Sequence, residues 1–384
     1  MVLDGIALEK RRGELGEQAR EAVERVVVPL AASLSPGERL SNAQMRELYR
    51  GLAPLGYLGG TIPREGGGAG MSGLEYGLLL EALAHAPIML CEVVPPRTVF
   101  FLGNENQRAR WLPALLSGDM ISTAAITEPQ AGSDLRGMRT TAEAGPSGYV
   151  LRGTKKWIKL GGVADAITVL AITDPEKGHK GMSRLFVERD VSPWTAEELP
   201  CVGIRSLSFA EIAFDSTPVP AENMLGSASG GVEGFYRGVE ASRALLGLQA
   251  AGMARAALDR AEAYAGERIA FGRPIGKFQA VQLALAEAAS RVEAARALSI
   301  KALQILDDGR RCPREASMAK MFATETAVSA CAVAMSTMGA FGLSEEAGVE
   351  CLWRDAKMLT VMDGTSDILR LIVGREELGA PAFT

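Results

Sequence analysis

The stretch AAITEPQAGSDLRG, residues 124–137, decides how this chain is read. A short apolar run, Ile121 to Ile126, has the look of a strand. It leads into Thr127-Glu128-Pro129 and then a tight turn, Gln130-Ala131-Gly132-Ser133-Asp134. The turn concentrates backbone N–H groups and hydroxyls in a few residues. Gly132 omits the side chain that would block close approach of a ligand. A loop of this kind suits a flat, phosphate-bearing ligand better than a folded peptide.

Outward from that loop the hydrophobic period changes twice. Before it, residues 1–120 read as helical, with helices over Glu14–Leu34, Ser41–Leu55, Ser72–Ala84 and Asn104–Leu116 and Ser41 as an N-cap. Gly66-Gly67-Gly68-Ala69-Gly70 reads as a loop, since it lacks the lysine of a phosphate-binding P-loop. Around the loop, short β-branched or alternating segments (121–127, 138–143, 148–158, 166–173, 183–188 and 209–214) predict a small β-barrel or sandwich. Beyond it, Arg243–Glu267, Gln279–Asp308, Pro313–Met338 and Thr365–Leu378 predict an antiparallel four-helix bundle rich in alanine. The expectation is an α+β multidomain chain: an N-terminal helical domain (1–120), a central β-barrel domain (121–230) and a C-terminal bundle (231–384). Ligands tend to bind in crevices between such domains.

Composition excludes several classes. Apolar residues make up 47% and charged residues 23% of 384, as in ordinary globular proteins. A net charge of −5 without a basic stripe argues against a nucleic-acid partner. No run of about 18 apolar residues suggests a membrane span. The N-terminal MVLDGIALEKRRGELGEQ is too polar for a signal peptide. The five cysteines are far apart and mostly in apolar runs, so reduced core thiols in a cytoplasmic protein are expected, and no metal spacing occurs. His85 and His179, the only histidines, supply neither a triad nor a metal site.

Five stretches, in this order, resemble the acyl-CoA dehydrogenase family of flavoproteins: AITEPQAGSDLRG (125–137), GTKKWI (153–158), GIRSLSFAEIAF with VPAENMLG (203–226), YAGERIAFGRPIGKFQAVQLALAE (264–287) and WRDAKMLTVMDGTSDILRLIVGRE (353–376). The resemblance spans nearly the whole chain. It implies FAD as cofactor and an acyl thioester, on CoA or a carrier protein, as substrate. A carboxylate would take the α proton while the β hydrogen leaves as hydride to flavin N5. The electron acceptor would be an electron-transfer flavoprotein or another acceptor. The family is usually tetrameric.

The same resemblance assigns residues. Thr127, Gly132, Ser133 and Trp157 would meet the flavin and its phosphates, with Ser133 also near the pantetheine arm. Arg268, Phe271 and Gln279 would reach the FAD of a neighbouring subunit, and Thr365 and Asp367 would bind cofactor at the last helix. Arg243 and Gly364 would border the substrate. The catalytic base, a glutamate in most members, is here Asp363, with helix capping as its alternative role. Aspartate reaches roughly 1.5 Å less. Lys159 stands where Thr or Ser is usual; its cation would meet the reduced flavin or point to solvent, with solvent slightly favoured. Ser242 fills the other common base position, with Glu240 nearby. Glu92, in the apolar run Ile88–Val94, would face the acyl pocket or lie on a helix surface, the second being favoured. Two further functions compete: a flavin oxidase of nitroalkane-oxidase type, suggested by the Asp363–Arg370 spacing, and a catalytically silent binding protein, suggested by Lys159 and Ser336.

Overall fold

The computed structural model describes residues 5–35 and 37–380; the first four residues of the polar N-terminal stretch lie outside the described residues. The N-terminal part holds α1 (Gly5–Ala22), a π-helical turn (Val23–Val27), α2 (Val28–Ala32), α3 (Asn42–Leu52), α4 (Gly73–Leu83), α5 (Val94–Leu102) and α6 (Glu105–Ser117). Local chemistry explains the starts. Ser41, Ser72 and Asn104 each cap a helix and form capping boxes with Gln44, Glu75 and Gln107. The sequence pattern misses α5, because Pro95 and Pro96 look like breakers. They occupy its first turn, where a missing N–H costs nothing. The Gly66–Gly70 cluster is a packed turn: a Cβ on Gly68 would lie 2.1 Å from the carbonyl oxygen of Ile62.

The middle part is one sheet: β1 (Ser122–Ala125), β2 (Thr141–Gly145), β3 (Gly148–Lys159), β4 (Ala166–Ile172), β5 (Met182–Glu188), β6 (Thr195–Glu198), β7 (Phe209–Pro220) and β8 (Met224–Leu225). The strands run in the order β6-β7-β3-β2-β4-β5-β8, with β1 parallel on β4. Strands β6 and β8 end the order unpaired with each other, so the expected barrel is an open sheet and does not close by hydrogen bonds among the described residues. Both end strands escape pattern reading: β6 is polar and exposed throughout, and β8 is two residues long.

The C-terminal part holds α7 (Gly231–Glu267), a hairpin of β9 (Ile269–Ala270) and β10 (Arg273–Pro274), α8 (Gln279–Asp307), α9 (Pro313–Met338), α10 (Val349–Leu359) and α11 (Ser366–Leu378). Helices α7, α8 and α9 pack on one another, α10 packs on α9 and α7, and α11 packs on α9. Alanines recur on the inner faces, at Ala250, Ala254, Ala257 and Ala261 of α7 and at Ala316, Ala319, Ala323, Ala327 and Ala330 of α9. Short side chains let the backbones approach; a Cβ on Gly247 of α7 would come within 2.4 Å of Ser299 Oγ on α8. Helix α7 starts at Gly231, where the sequence was expected to turn helical, and α10 is a helix that the pattern did not single out. Helix α4, nearly all buried, packs on α7, so the N- and C-terminal helices share one apolar core.

Candidate active site

A cleft of about 1750 Å³ opens where the sheet meets the helices. Single-ligand pockets run to roughly 1,000 Å³, so there is room for a large cofactor together with a substrate. Thr127, Gly132, Ser133, Trp157 and Lys159 line it from the sheet side. Arg243, Asp363, Gly364 and Thr365 line it from the helical side.

The loop after β1 is held by a residue that the sequence did not mark, Glu128. Its side chain is buried to 1% exposure, and it accepts hydrogen bonds on both oxygens. Oε1 takes Lys155 Nζ at 2.9 Å and Thr140 N at 3.0 Å. Oε2 takes Arg139 N at 2.7 Å and Gln130 Nε2 at 2.5 Å. The two partners respond differently. For Lys155, on β3, burial dominates and pushes the ammonium down to about 8. For Glu128 burial pushes upward, but Lys155 and the other donors outweigh it and leave the carboxyl below its usual range. The number of donors decides the state: an ionised carboxylate pins residues 127–131 to the neighbouring strand. Its local sequence, Thr127-Glu128-Pro129-Gln130, reads as a polar turn and carries no signal of the pair.

A β-bulge presents Trp157. The β3–β7 register shifts between Lys155 and Ile158, and Trp157 sits at φ 63°. A bulky residue in the left-handed region is a real outlier, and bulges re-aim side chains beside sites. The indole is 49% exposed and tilts against Phe209 at 6.2 Å. It therefore offers an apolar plane to the cleft. Lys159, two residues on, also lines the cleft, and its ammonium makes no hydrogen bond or ion pair among the described residues; its charge acts on Asp363 and Cys91. The slight preference for a solvent-pointing Lys159 gives way to a cleft-facing one.

Asp363 lies between α10 and α11 at φ 54°, again left-handed. Its backbone is clamped: Arg243 Nε donates to the Asp363 carbonyl at 2.9 Å, and Lys320 Nζ donates to the Gly364 carbonyl at 2.8 Å. Thr365, not Asp363, caps α11, its hydroxyl accepting from Ile368 N at 3.3 Å. The Asp363 carboxyl is raised above the usual aspartate range, first by burial and then by the charge of Glu92, while Lys320, Arg243 and Lys159 pull the other way. The side chain is accessible through the open cleft although protein crowds its other sides. Filling the cleft removes that water and adds to the upward push. Burial also lowers Lys320, to about 8, and lowers Arg243.

Glu92 is not on a helix surface. It precedes α5, lines the cleft and is only 11% exposed. Arg97 Nη2 contacts its Oε1 at 2.8 Å, and Ser242 Oγ donates to its Oε2 at 2.7 Å. Glu240 is held by Arg311 and by the N–H of Cys312 at 3.2 Å, so its carboxylate is already committed.

Four expected site residues are not brought to this cleft. Arg268, Phe271 and Gln279 are exposed around the β9–β10 hairpin and the start of α8, Phe271 at 96%. Asp367 is exposed and pairs with Arg370 at 2.7 Å. Arg370 also pairs with Glu325 at 2.6 Å and does not line the cleft.

The lining fits a flavin. The half-exposed Trp157 plane suits a flat ring. A Cβ on Gly132 would meet only Thr127 Cγ2, at 3.8 Å, so that glycine leaves room on the cleft side and relieves no clash within the protein. Facing this half is a carboxylate with a raised pKa, the poise required to take a proton from carbon near neutral pH. Together these define a flavin-dependent oxidoreductase. The chain belongs to the acyl-CoA dehydrogenase family. It matches that family's N-terminal domain over residues 10–119, middle domain over 123–217 and C-terminal domain over 230–378. It is 38% identical to benzylmalonyl-CoA dehydrogenase of Aromatoleum aromaticum, covering 93% of this chain and 95% of that one. It is 35% identical to an acyl-CoA dehydrogenase of Bacillus subtilis, covering 87% and 90%. The butyryl-CoA dehydrogenase structure from Megasphaera elsdenii superposes with a TM-score of 0.89 at 29% identity, covering 98% and 99%. The protein is an FAD-dependent oxidoreductase that acts on a CH–CH bond of an acyl thioester.

Proposed function

We propose that Asp363 is the base of this α,β-dehydrogenation. The observation that carries the reading is its placement: a carboxylate free of hydrogen bonds among the described residues, on a clamped backbone, faces the same cleft as Trp157 and the 127–133 loop. The ionised carboxylate takes the α proton, an O–H bond forming as the C–H bond breaks. The bond's electrons move between Cα and Cβ, and bound FAD supplies the acceptor for the hydride leaving Cβ. The N–H of Asp363 donates to no acceptor among the described residues, so it is available to the thioester carbonyl as negative charge develops there. Arg243 and Lys320 hold this N–H and carboxylate in place through their carbonyl contacts. Thr127, Gly132, Ser133, Trp157 and Lys159 hold the isoalloxazine and phosphates, with Thr365 across the cleft. Arg243 and Gly364 border the acyl thioester.

We further infer three domains, at residues 1–120, 121–230 and 231–384. Arg268, Phe271 and Gln279, exposed and away from their own cleft, serve the cofactor of a second copy in a homotetramer. No helix among the described residues is long and apolar enough to cross a membrane. With the cysteines of the described residues free, we assign the protein to the cytoplasm and its electrons to an electron-transfer flavoprotein or comparable acceptor.

The test is anaerobic. The FAD-loaded protein is mixed with acyl-CoA thioesters and flavin absorbance is followed. Bleaching by a saturated thioester, lost in Asp363→Ala with FAD retained, supports the assignment. Unchanged bleaching in Asp363→Ala removes Asp363 as base.

A further inference from the structure

Among the described residues four carboxyl groups line the cleft, those of Glu92, Glu128, Glu240 and Asp363. Three are committed to cations of the protein. Glu92 holds Arg97 at 2.8 Å, Glu128 holds Lys155 at 2.9 Å, and Glu240 holds Arg311. The Asp363 carboxylate has no such partner. Arg243 and Lys320 act on it by charge, but their donors go to the carbonyls of Asp363 and Gly364 on the helical side. On the sheet side the matching exception is Lys159. It is half-buried, and its ammonium makes no hydrogen bond or ion pair among the described residues. Ile158 is 3% exposed and turns into the sheet core, so Trp157 and Lys159 on either side of it face the cleft. The Lys159 charge pulls the Asp363 carboxyl and the Cys91 thiol downward. At Cys91 burial outweighs that pull, so the thiol stays raised and neutral and offers no counter-charge. A ligand filling the cleft would take solvent away from Lys159, and a desolvated cation is costly unless it is paired.

We propose that Lys159 is the counter-ion of the redox step, balancing the Asp363 carboxylate before it and the reduced cofactor after it. This role rests on the reading of Asp363 as base and of the cleft as the FAD site. Before the step Asp363 carries the negative charge and the oxidised isoalloxazine carries none. The α proton moves from Cα to the carboxylate, which becomes neutral. The hydride moves from Cβ to the isoalloxazine, which gains one negative charge, and the two C–H bonds are replaced by a Cα=Cβ double bond. The net charge of the cleft does not change; the negative charge only moves from one neighbour of Lys159 to another. A fixed cation that serves both states needs no reorganisation at the moment of reaction. Charge near a bound flavin also tunes its potential, and a cation favours the reduced, anionic form. Lys159 thereby sets the reduction potential of the bound cofactor as well as the ionisation of the base.

The first measurement needs no substrate. The midpoint potential of the FAD-loaded protein is found at neutral pH by anaerobic equilibration with a reference dye, for wild type, Lys159→Met and Lys159→Arg. Lys159→Met should shift the equilibrium toward oxidised FAD on the order of tenfold or more, which is about 30 mV for a two-electron couple. Lys159→Arg keeps the charge and should restore most of that shift. The second measurement is the pH profile of flavin bleaching by a saturated acyl-CoA thioester. Lys159→Met should move its acid limb to higher pH, because a cation that holds the Asp363 carboxyl down is gone, and Lys159→Arg should move it back. Lys159→Gln keeps the length and a hydrogen-bonding end, and it decides where the methionine variant does not retain FAD. A shift in both readouts that arginine reverses supports the counter-ion role, since a merely structural lysine would move neither. An unmoved potential, or a moved potential with an unmoved acid limb, overturns the inference while wild-type bleaching leaves the thioester reading standing. A wild-type protein that takes up no FAD, or that no thioester bleaches, overturns the reading and this inference with it.

Discussion

Arg243 reaches Asp363 through its backbone carbonyl, at 2.9 Å, and not through its carboxylate. The cation holds the backbone of the proposed base and leaves its carboxylate free of that contact. The carboxyl stays raised by burial and by Glu92, and Lys320, Arg243 and Lys159 hold it down only through their charge. The base works when ionised, so kcat/KM should rise with pH through a pKa above the usual aspartate value and then level off. Lys320→Met removes one of the cations that lower this pKa, and the acid limb should move to higher pH. An unmoved limb would show that another group controls it. Asp363→Asn should cost about 10²- to 10⁴-fold in flavin reduction while the protein still binds FAD.

The Glu128–Lys155 pair holds the loop proposed to bind the cofactor. Removing one member leaves the other charged, buried and short of partners. Glu128→Gln and Lys155→Met should each destabilise by about 3–5 kcal/mol in urea unfolding. The double variant should lose less than the sum, since neither charge is then orphaned. Both singles should also weaken FAD binding, because Thr140, Arg139 and Gln130 are anchored by the same carboxylate. Additive losses would show that the pair is not a coupled unit.

Trp157 separates cofactor binding from folding. Its indole is half-exposed, so removing it empties little core. Trp157→Ala should raise the FAD dissociation constant at least about tenfold, the equivalent of 1.4 kcal/mol, while the melting temperature of the FAD-free protein changes little. Equal FAD affinity in both proteins would remove Trp157 from the site.

Much of the architecture was legible because it follows from period and punctuation. Ser41 capped its helix as expected, and the long alanine-rich helices showed their spacing over many turns. The two end strands β6 and β8 carried no alternation, and prolines hid α5. The cofactor loop was legible from its glycine and hydroxyls, whereas its anchor Glu128 was not. A buried ion pair depends on which strands come together, and the local sequence around Glu128 looks like any polar turn. The same limit explains Glu92. Its apolar neighbours suggested burial, but its partners Arg97 and Ser242 come from α5 and α7, and only packing unites them.

Asp355 offers a test of the contact between α10 and the segment before β7. Its Oδ1 accepts the N–H of Ile204 at 2.6 Å, and Cys351 Sγ donates toward Oδ2 at 3.8 Å. Burial raises the carboxyl to about 6, against the opposing effects of Ile204, Arg354 and Cys351. An unfolded aspartate titrates near 3.9. Between these values the folded protein keeps a proton that the unfolded chain releases, so stability falls as pH rises through this window. Below about 4 both states are protonated, and above about 6 both are ionised and the loss is complete, at about 3 kcal/mol. An asparagine at this position would keep an oxygen acceptor for Ile204 and carry no charge. Asp355→Asn should therefore gain stability relative to the parent as pH rises from about 4 to about 7.5, by up to about 3 kcal/mol, with activity per bound FAD little changed. Chemical unfolding at the two pH values measures the difference. A gap between the two proteins that does not change with pH would mean that Asp355 is ionised throughout and that the Ile204 contact outweighs burial.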